Sequence, residues 1–303
     1  MDITSAIDRQ QENKPYYALI TGAGRGLGKA YTLELARRGH HVLLTALPGE
    51  DLSAFCTFLQ QRYHIRAAYL ECDLCKEAEI DRLIRWIEQH YQVNILINNA
   101  GMGGTAEFEK VSPKVINDMI LLNVRAMALL THKLLPGMRR MQQAWILNVS
   151  SMASFSPIGY KTVYPATKVF VLNFSRGLYQ ELKGTGVLVS VVHPGPMKTN
   201  ADTTMRIIRQ GWKGQVGLIS PEEMAKKSLD RLFKKDALIL IGWMNKLNWL
   251  LMKTIPVWIR LPLITRVIKK EIQLNQENEK TDEGISNRSQ QLIGHQRDCS
   301  LAG

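Results

Sequence analysis

The chain has 303 residues, of which 45% are hydrophobic, 22% charged and 7% aromatic. That balance excludes wholesale disorder and fibrous repeats, and the length suffices for one large α/β domain with a sizeable core. The net charge of +12 is uneven, because residues 203–270 alone carry 14 basic and 4 acidic side chains. A basic surface suits nucleic acid, anionic lipid or an acidic substrate. No helix-turn-helix, zinc-finger or RNA-recognition signature accompanies it, so nucleic acid is not an expected partner. Residues 1–14 are polar, with neither a basic start nor an apolar run, and no secretory signal is read there. Four cysteines are too few for a disulfide framework, which makes the reducing cytoplasm the expected location.

From residue 15 onward, short apolar runs alternate with longer amphipathic stretches. The runs are Tyr16–Thr21, His41–Ala46, Ala67–Leu70, Asn94–Asn98, Trp145–Val149, Val187–Val192 and Ala237–Ile241. Most lack polar alternation, as expected of strands buried on both faces. Gly26–Gly39, Lys76–His90, Pro113–Leu135 and Val163–Lys183 carry apolar residues at three- and four-residue spacing. This order predicts a single doubly wound α/β domain over residues 15–241 with a parallel sheet. Residues 242–270 are apolar but interrupted by Asn, Lys, Arg and Pro, with no uncharged run long enough to span a bilayer. The tail over 271–303 has little apolar content and reads as disordered.

The first run leads into Thr21-Gly22-Ala23-Gly24-Arg25-Gly26-Leu27-Gly28. Glycines let a backbone turn tightly and approach a pyrophosphate, and the following helix start offers free N–H groups. A carboxylate ending the second strand would bind the adenosine ribose hydroxyls. The chain has Thr45-Ala46-Leu47 there, and Glu50 and Asp51 come too late. Arg25 inside the glycine loop is placed to face a 2′-phosphate instead, which favours NADP(H) over NAD(H). Asp73 and Leu74 follow the third strand, and Asn98-Asn99-Ala100-Gly101 end the fourth, at the edge where open α/β sheets bind ligands.

Tyr164 and Lys168 lie four residues apart, on one face of a helix. A free tyrosine titrates near 10, and a cation nearby stabilises the phenolate. Ser151 stands thirteen residues before Tyr164 at the end of a strand, so the two hydroxyls can meet. Cys72-Asp73-Leu74-Cys75 lacks a second cysteine pair, so it is read as structural and no metal is expected.

Thr21–Gly28, Asp73, Asn98–Gly101, Asn123, Ser151, Tyr164, Lys168 and Pro194-Gly195 resemble, in order and spacing, the short-chain dehydrogenase/reductase family over about residues 15–200. The resemblance implies a Rossmann-type NAD(P)-binding fold with a seven-stranded sheet, and hydride transfer between nicotinamide and a carbonyl or alcohol carbon. It implies Tyr164 as general acid/base, Ser151 as the group polarising the substrate oxygen, and Lys168 binding the nicotinamide ribose while lowering the Tyr164 pKa. Asn123 would hold a relay water, and Thr199 would bind the carboxamide. The segment Met197–Gly217 would close over substrate.

Met102, Met152, Phe155, Ile158, Tyr160 and Met197 are candidates for the pocket wall, and their apolar character suggests a carbonyl on a lipophilic body. Trp243, Trp249 and Trp258 beside the basic residues of 242–270 have the composition of an interfacial segment on anionic lipid. Packing on the domain or on another subunit is the alternative for that stretch. Members of the family often pair through the helices bearing Asn123 and Tyr164, so the resemblance implies a homo-oligomer unless 242–270 blocks or replaces that contact. Two further readings stay open for the whole chain: a dinucleotide-sensing or membrane-associated binding protein, and an epimerase or dehydratase on the same fold.

Overall fold

A computed structural model describes residues 15–197, 218–270 and 272–273. Thr199, nearly all of the substrate segment and the C-terminal tail lie outside these. The strands are β1 (Tyr16–Thr21), β2 (His41–Ala46), β3 (Ala67–Glu71), β4 (Gln92–Asn98), β5 (Ala144–Val149), β6 (Val187–Val192) and β7 (Leu238–Ile239). They form one sheet in the order β3-β2-β1-β4-β5-β6-β7, with every neighbouring pair parallel. The order reverses between β1 and β4, which opens a ligand crevice at their carboxyl ends.

The helices are α1 (Gly26–Arg37), α2 (Leu52–Tyr63), α3 (Glu77–His90), α4 (Pro113–Ile120), α5 (Met127–Arg139), α6 (Val163–Glu181), α7 (Pro221–Phe233), α8 (Trp243–Thr254) and α9 over 257–270. Alternate strand residues serve opposite faces of the sheet. Ala18, Ile20, Val42 and Leu44 pack with Leu27, Tyr31 and Leu35 of α1, Leu52 and Leu59 of α2, and Leu229 and Leu232 of α7. Leu19, Leu43, Leu96 and Ile146 pack instead with Ile80, Leu83 and Ile87 of α3 and with Leu130 and Leu134 of α5. Both faces are thus covered, which explains the nearly unbroken apolar runs.

Two elements depart from expectation. The stretch Pro113–Leu135 is not one regular helix: α4 and α5 are joined by a π-helical turn, Leu121–Ala126, which carries Asn123. The expected strand Ala237–Ile241 pairs over only Leu238 and Ile239, because it lies at the sheet edge beside β6 alone. No helix among the described residues is long and apolar enough to cross a membrane.

A polar chain crosses the apolar interior below the crevice. Asn98 Nδ2 on β4 donates to Asn148 Oδ1 on β5 at 2.8 Å and to Thr131 Oγ1 on α5 at 3.0 Å. Asn148 Nδ2 donates to Ser175 Oγ on α6 at 2.8 Å. These bonds join two strands to the helices on one side, and every group left unmatched there would bear its full desolvation cost. Asn148→Leu strips partners from both Asn98 and Ser175, so urea unfolding should show a loss of about 2–4 kcal/mol. A change within error would show that the chain of amides contributes nothing.

Candidate active site

At the end of β1 the backbone turns through Gly22, whose φ of +65° suits glycine. Gly28 is needed for a different reason: a Cβ there would stand 1.9 Å from the Gly22 carbonyl oxygen. The first turn of α1 therefore lies directly against the glycine turn. Thr21 Oγ1 accepts from the amides of Asn99 and Ala100 at 3.0 and 2.9 Å, and Asn99 Nδ2 donates to the Thr21 carbonyl at 2.9 Å. The β4 terminus is thereby stitched to the glycine loop. This cradle of bare backbone at a helix start fits a dinucleotide pyrophosphate.

Further along the edge, Ala46 is buried at the end of β2 and Leu74 is buried after β3. Asp73 turns back on its own chain, Oδ1 accepting from the Cys75 amide at 3.0 Å. The Cys72 and Cys75 thiols are both raised, mainly by burial, with Cys75 pushed up to about 11. Neither is a thiolate at neutral pH, consistent with a structural role. Arg25 is exposed, and its Nε lies 3.3 Å from Glu50 Oε1. Sequence reasoning set Glu50 aside as too distant along the chain.

Lys168 is only 5% exposed, and its Nζ donates to the Val149 carbonyl at the end of β5 at 2.9 Å. Burial lowers its pKa to about 8. The neighbouring Ser150 donates Oγ to the Lys168 carbonyl at 2.9 Å, fastening α6 to the same strand end. The two adjacent serines thus divide their work: Ser150 is buried structure, and Ser151 faces the crevice. Ser151 lies close enough to the Tyr164 hydroxyl to oppose the rise in its pKa, and its Oγ accepts from the Ala153 amide at 3.1 Å. Lys168 Nζ stands 5.8 Å from the Tyr164 ring centre.

One electrostatic expectation fails here. The Tyr164 pKa is raised rather than lowered, because burial outweighs the opposing effect of Ser151. Tyr164 is accordingly a phenol at neutral pH, poised to give a proton.

Asn123, buried in the π turn, uses both ends of its amide. Oδ1 accepts from the Met102 amide at 2.9 Å, while Nδ2 donates to the Met102 carbonyl and to Thr167 Oγ1 at 2.8 and 3.0 Å. A Cβ on Gly101 would lie 3.1 Å from Asn123 Oδ1 and 3.3 Å from Lys168 Nζ, and one on Gly103 would lie 3.0 Å from the Tyr164 ring. The glycines after β4 therefore let that loop pass close over the catalytic set.

The apolar candidates scatter. Met152 is buried, its amide bonded to the Pro194 carbonyl at 2.9 Å. Phe155 leans on His193 at 4.5 Å and packs with Val171 and Leu172, so it faces the interior. Ile158, Tyr160, Met102 and Met197 remain partly exposed. Tyr160 has φ of 63°, and its carbonyl accepts from the Ala106 amide at 2.9 Å. His193 is fully buried, with Nδ1 3.1 Å from the Ser151 carbonyl, and burial lowers its pKa to about 4. It is neutral across the working range and supports the serine turn. Two clefts of about 480 and 510 Å³ lie beside α8 rather than over Tyr164.

Residues 242–270 do pack on the domain, at two points that border the site. Asn245 is buried with its Oδ1 against Gly195, 2.6 Å from where a Cβ would stand. Thr265 of α9 accepts from the Gly159 amide at 3.3 Å. The opposite face stays open: Trp243 is 70% exposed, Trp258 76%, Val267 66% and Leu263 55%.

Residues 16–209 match the short chain dehydrogenase family. Hydroxysteroid dehydrogenase-like protein 1 of Gallus gallus is 29% identical over 84% of this chain and 77% of its own length. A very-long-chain 3-oxoacyl-CoA reductase of Anas platyrhynchos is 35% identical, but the match spans 59% of this chain and 58% of that relative. Among solved structures, a short-chain dehydrogenase from Sphingobium yanoikuyae in complex with NADPH superposes with a TM-score of 0.68 at 27% identity, covering 80% of this chain and 96% of that one. With the parallel seven-stranded sheet, the glycine cradle and the Ser151, Tyr164 and Lys168 cluster, these matches make the chain an oxidoreductase of the short-chain dehydrogenase family.

Proposed function

We propose that the chain uses NADP(H) to reduce a ketone or aldehyde on a lipophilic body, of the 3-oxoacyl or steroid-like kind, to its alcohol. The observation that carries this reading is the juxtaposition of Ser151 with Tyr164, whose ring lies 5.8 Å from the buried Lys168 Nζ one helical turn on. Relatives named for 3-oxoacyl-CoA reduction and for hydroxysteroid dehydrogenation support the substrate class. Arg25 in the glycine loop, the absence of a carboxylate at Ala46 and the NADPH-bound structural relative support the cofactor.

The residues suited to hold the dinucleotide are Thr21, Gly22, Arg25, Gly26, Leu27 and Gly28 at the pyrophosphate and Ala46, Asp73 and Leu74 toward the adenosine. Asn99, Ala100, Gly101, Tyr164, Lys168, Pro194 and Gly195 serve the nicotinamide half, joined by Thr199, which lies outside the described residues. When bound, the dinucleotide supplies the hydride. Ser151 donates a hydrogen bond to the substrate carbonyl oxygen and so polarises the carbon toward attack. Tyr164, still protonated, passes its hydroxyl proton to that oxygen as it becomes an alcohol. The Lys168 ammonium steadies the phenolate left behind and restores its proton, and Asn123 would hold the relay water through which Lys168 regains a proton from solvent.

Titrating the protein with NADPH and NADH by nicotinamide fluorescence, then adding lipophilic ketones, aldehydes and 3-oxoacyl thioesters, tests this reading. Tyr164→Phe should lower turnover roughly 10²–10⁴-fold with cofactor affinity unchanged. Binding without turnover on any carbonyl would favour the sensor reading. Because burial places Lys168 near 8, it is an ammonium below that pH and neutral above it. The reductive rate should therefore hold below about pH 8 and fall as pH rises through it. A rate flat to pH 10 would remove Lys168 from the charged role.

We further propose that the outer face of α8 and α9 rests on anionic lipid. Residues 242–270 hold six basic side chains and no acidic one, around exposed Trp243, Trp258, Leu263 and Val267. Truncation after Ile241 is a poor test, since it also removes Asn245 from Gly195. Trp258→Asp with Leu263→Asp leaves that contact alone and should weaken flotation with phosphatidylserine vesicles about tenfold or more. Equal flotation of the two proteins would overturn the lipid contact.

A further inference from the structure

The turn after β2 does something its sequence position conceals. Gly49 at φ +88° and Asp51 at φ +50° double the chain back, and the Gly49 amide donates to Glu71 Oε1 at 3.3 Å. Glu50 is carried over the glycine loop as a result. Its carboxylate fills the space above Gly24: a Cβ at that position would stand 2.2 Å from Glu50 Oε2 and 2.6 Å from Glu50 Cβ. Its other oxygen holds Arg25 at 3.3 Å. The Glu50 side chain is 20% exposed, whereas that of Arg25 is 72% exposed. The carboxylate is therefore the anchored partner and the guanidinium the free one. The Ala23 amide donates to the Thr45 carbonyl at 3.1 Å, which holds this loop against the end of β2.

In a sheet of this order, the adenosine ribose of a dinucleotide lies past the carboxyl ends of β1 and β2, beside the first glycine turn. Glu50 brings to that place the carboxylate that Ala46 does not supply, from four residues further along the chain. It meets there Arg25, a cation suited to a 2′-phosphate. A carboxylate accepts from a ribose 2′-hydroxyl but repels a 2′-phosphate, and while it holds Arg25 it also occupies the phosphate's partner.

We propose that Glu50 sets cofactor choice: its carboxylate accepts the 2′-hydroxyl of NAD(H), and the 2′-phosphate of NADP(H) binds only by displacing it from Arg25. This rests on the dinucleotide reading above and qualifies it, since the NADP(H) preference conferred by Arg25 is then held in check by its own neighbour. Gly24 belongs to the same device, because any side chain there evicts Glu50. Gly24 has no positive φ, so a serine there is tolerated by its own backbone, and the contact with Glu50 Cβ moves the turn that carries Glu50 along with its carboxylate.

The test is the ratio of NADPH to NADH affinity, read by fluorescence titration of the full chain. Glu50→Gln should raise that ratio roughly tenfold, by tightening NADPH and not NADH. Gly24→Ser should move it the same way, and Arg25→Ala added to Glu50→Gln should abolish the gain. Thermal melts of each variant establish that folding is intact. An unchanged ratio in both Glu50→Gln and Gly24→Ser would overturn the role of Glu50 while leaving the dinucleotide reading in place. A wild-type protein that binds neither dinucleotide would overturn both.

Discussion

A lysine with only 5% of its surface exposed has to be fed hydrogen bonds by its surroundings, and that demand organises the centre of this molecule. The carbonyl of Val149 meets it at the carboxyl end of β5, while Ser150 returns a bond to the carbonyl of Lys168. Strand end and helix are clamped from both directions. Tyr164 is placed one turn away, Ser151 next to Ser150, and the loop after β4 comes close because Gly101 and Gly103 carry nothing to stop it. The arrangement of Ser151, Tyr164 and Lys168 is thus the consequence of housing one charge, and the amide chain through Asn98 and Asn148 sets the floor beneath it.

Burial also acts on both titratable groups of this centre. The interior that lowers Lys168 raises Tyr164, so both groups move toward their neutral forms.

Much of this was legible in the chain itself, for physical reasons. Strands covered on both faces show unbroken apolar runs, so β1, β2 and β6 begin and end where the pattern does. Tyr164 and Lys168 are visible because helical spacing is short-range, and Ser151 because a strand end and a helix start are close in the sequence. What escaped depends on geometry that no local spacing encodes. The π turn at Asn123 leaves the apolar period almost undisturbed. Glu50 reaches Arg25 only because two positive-φ residues reverse the chain, and Asp51 is not a residue from which that conformation is read. The raised Tyr164 pKa follows from enclosure, which a linear sequence does not display.

The C-terminal extension is neither a free tail nor an independent module. Its inner side touches Gly195 through Asn245 and Gly159 through Thr265. Any displacement of α8 and α9 therefore bears on the loops that carry these two glycines. For anyone grafting this extension onto a related enzyme, the joints to match are these two glycines: a bulkier residue at either would lift the helices off their seats, and with them the walls they brace.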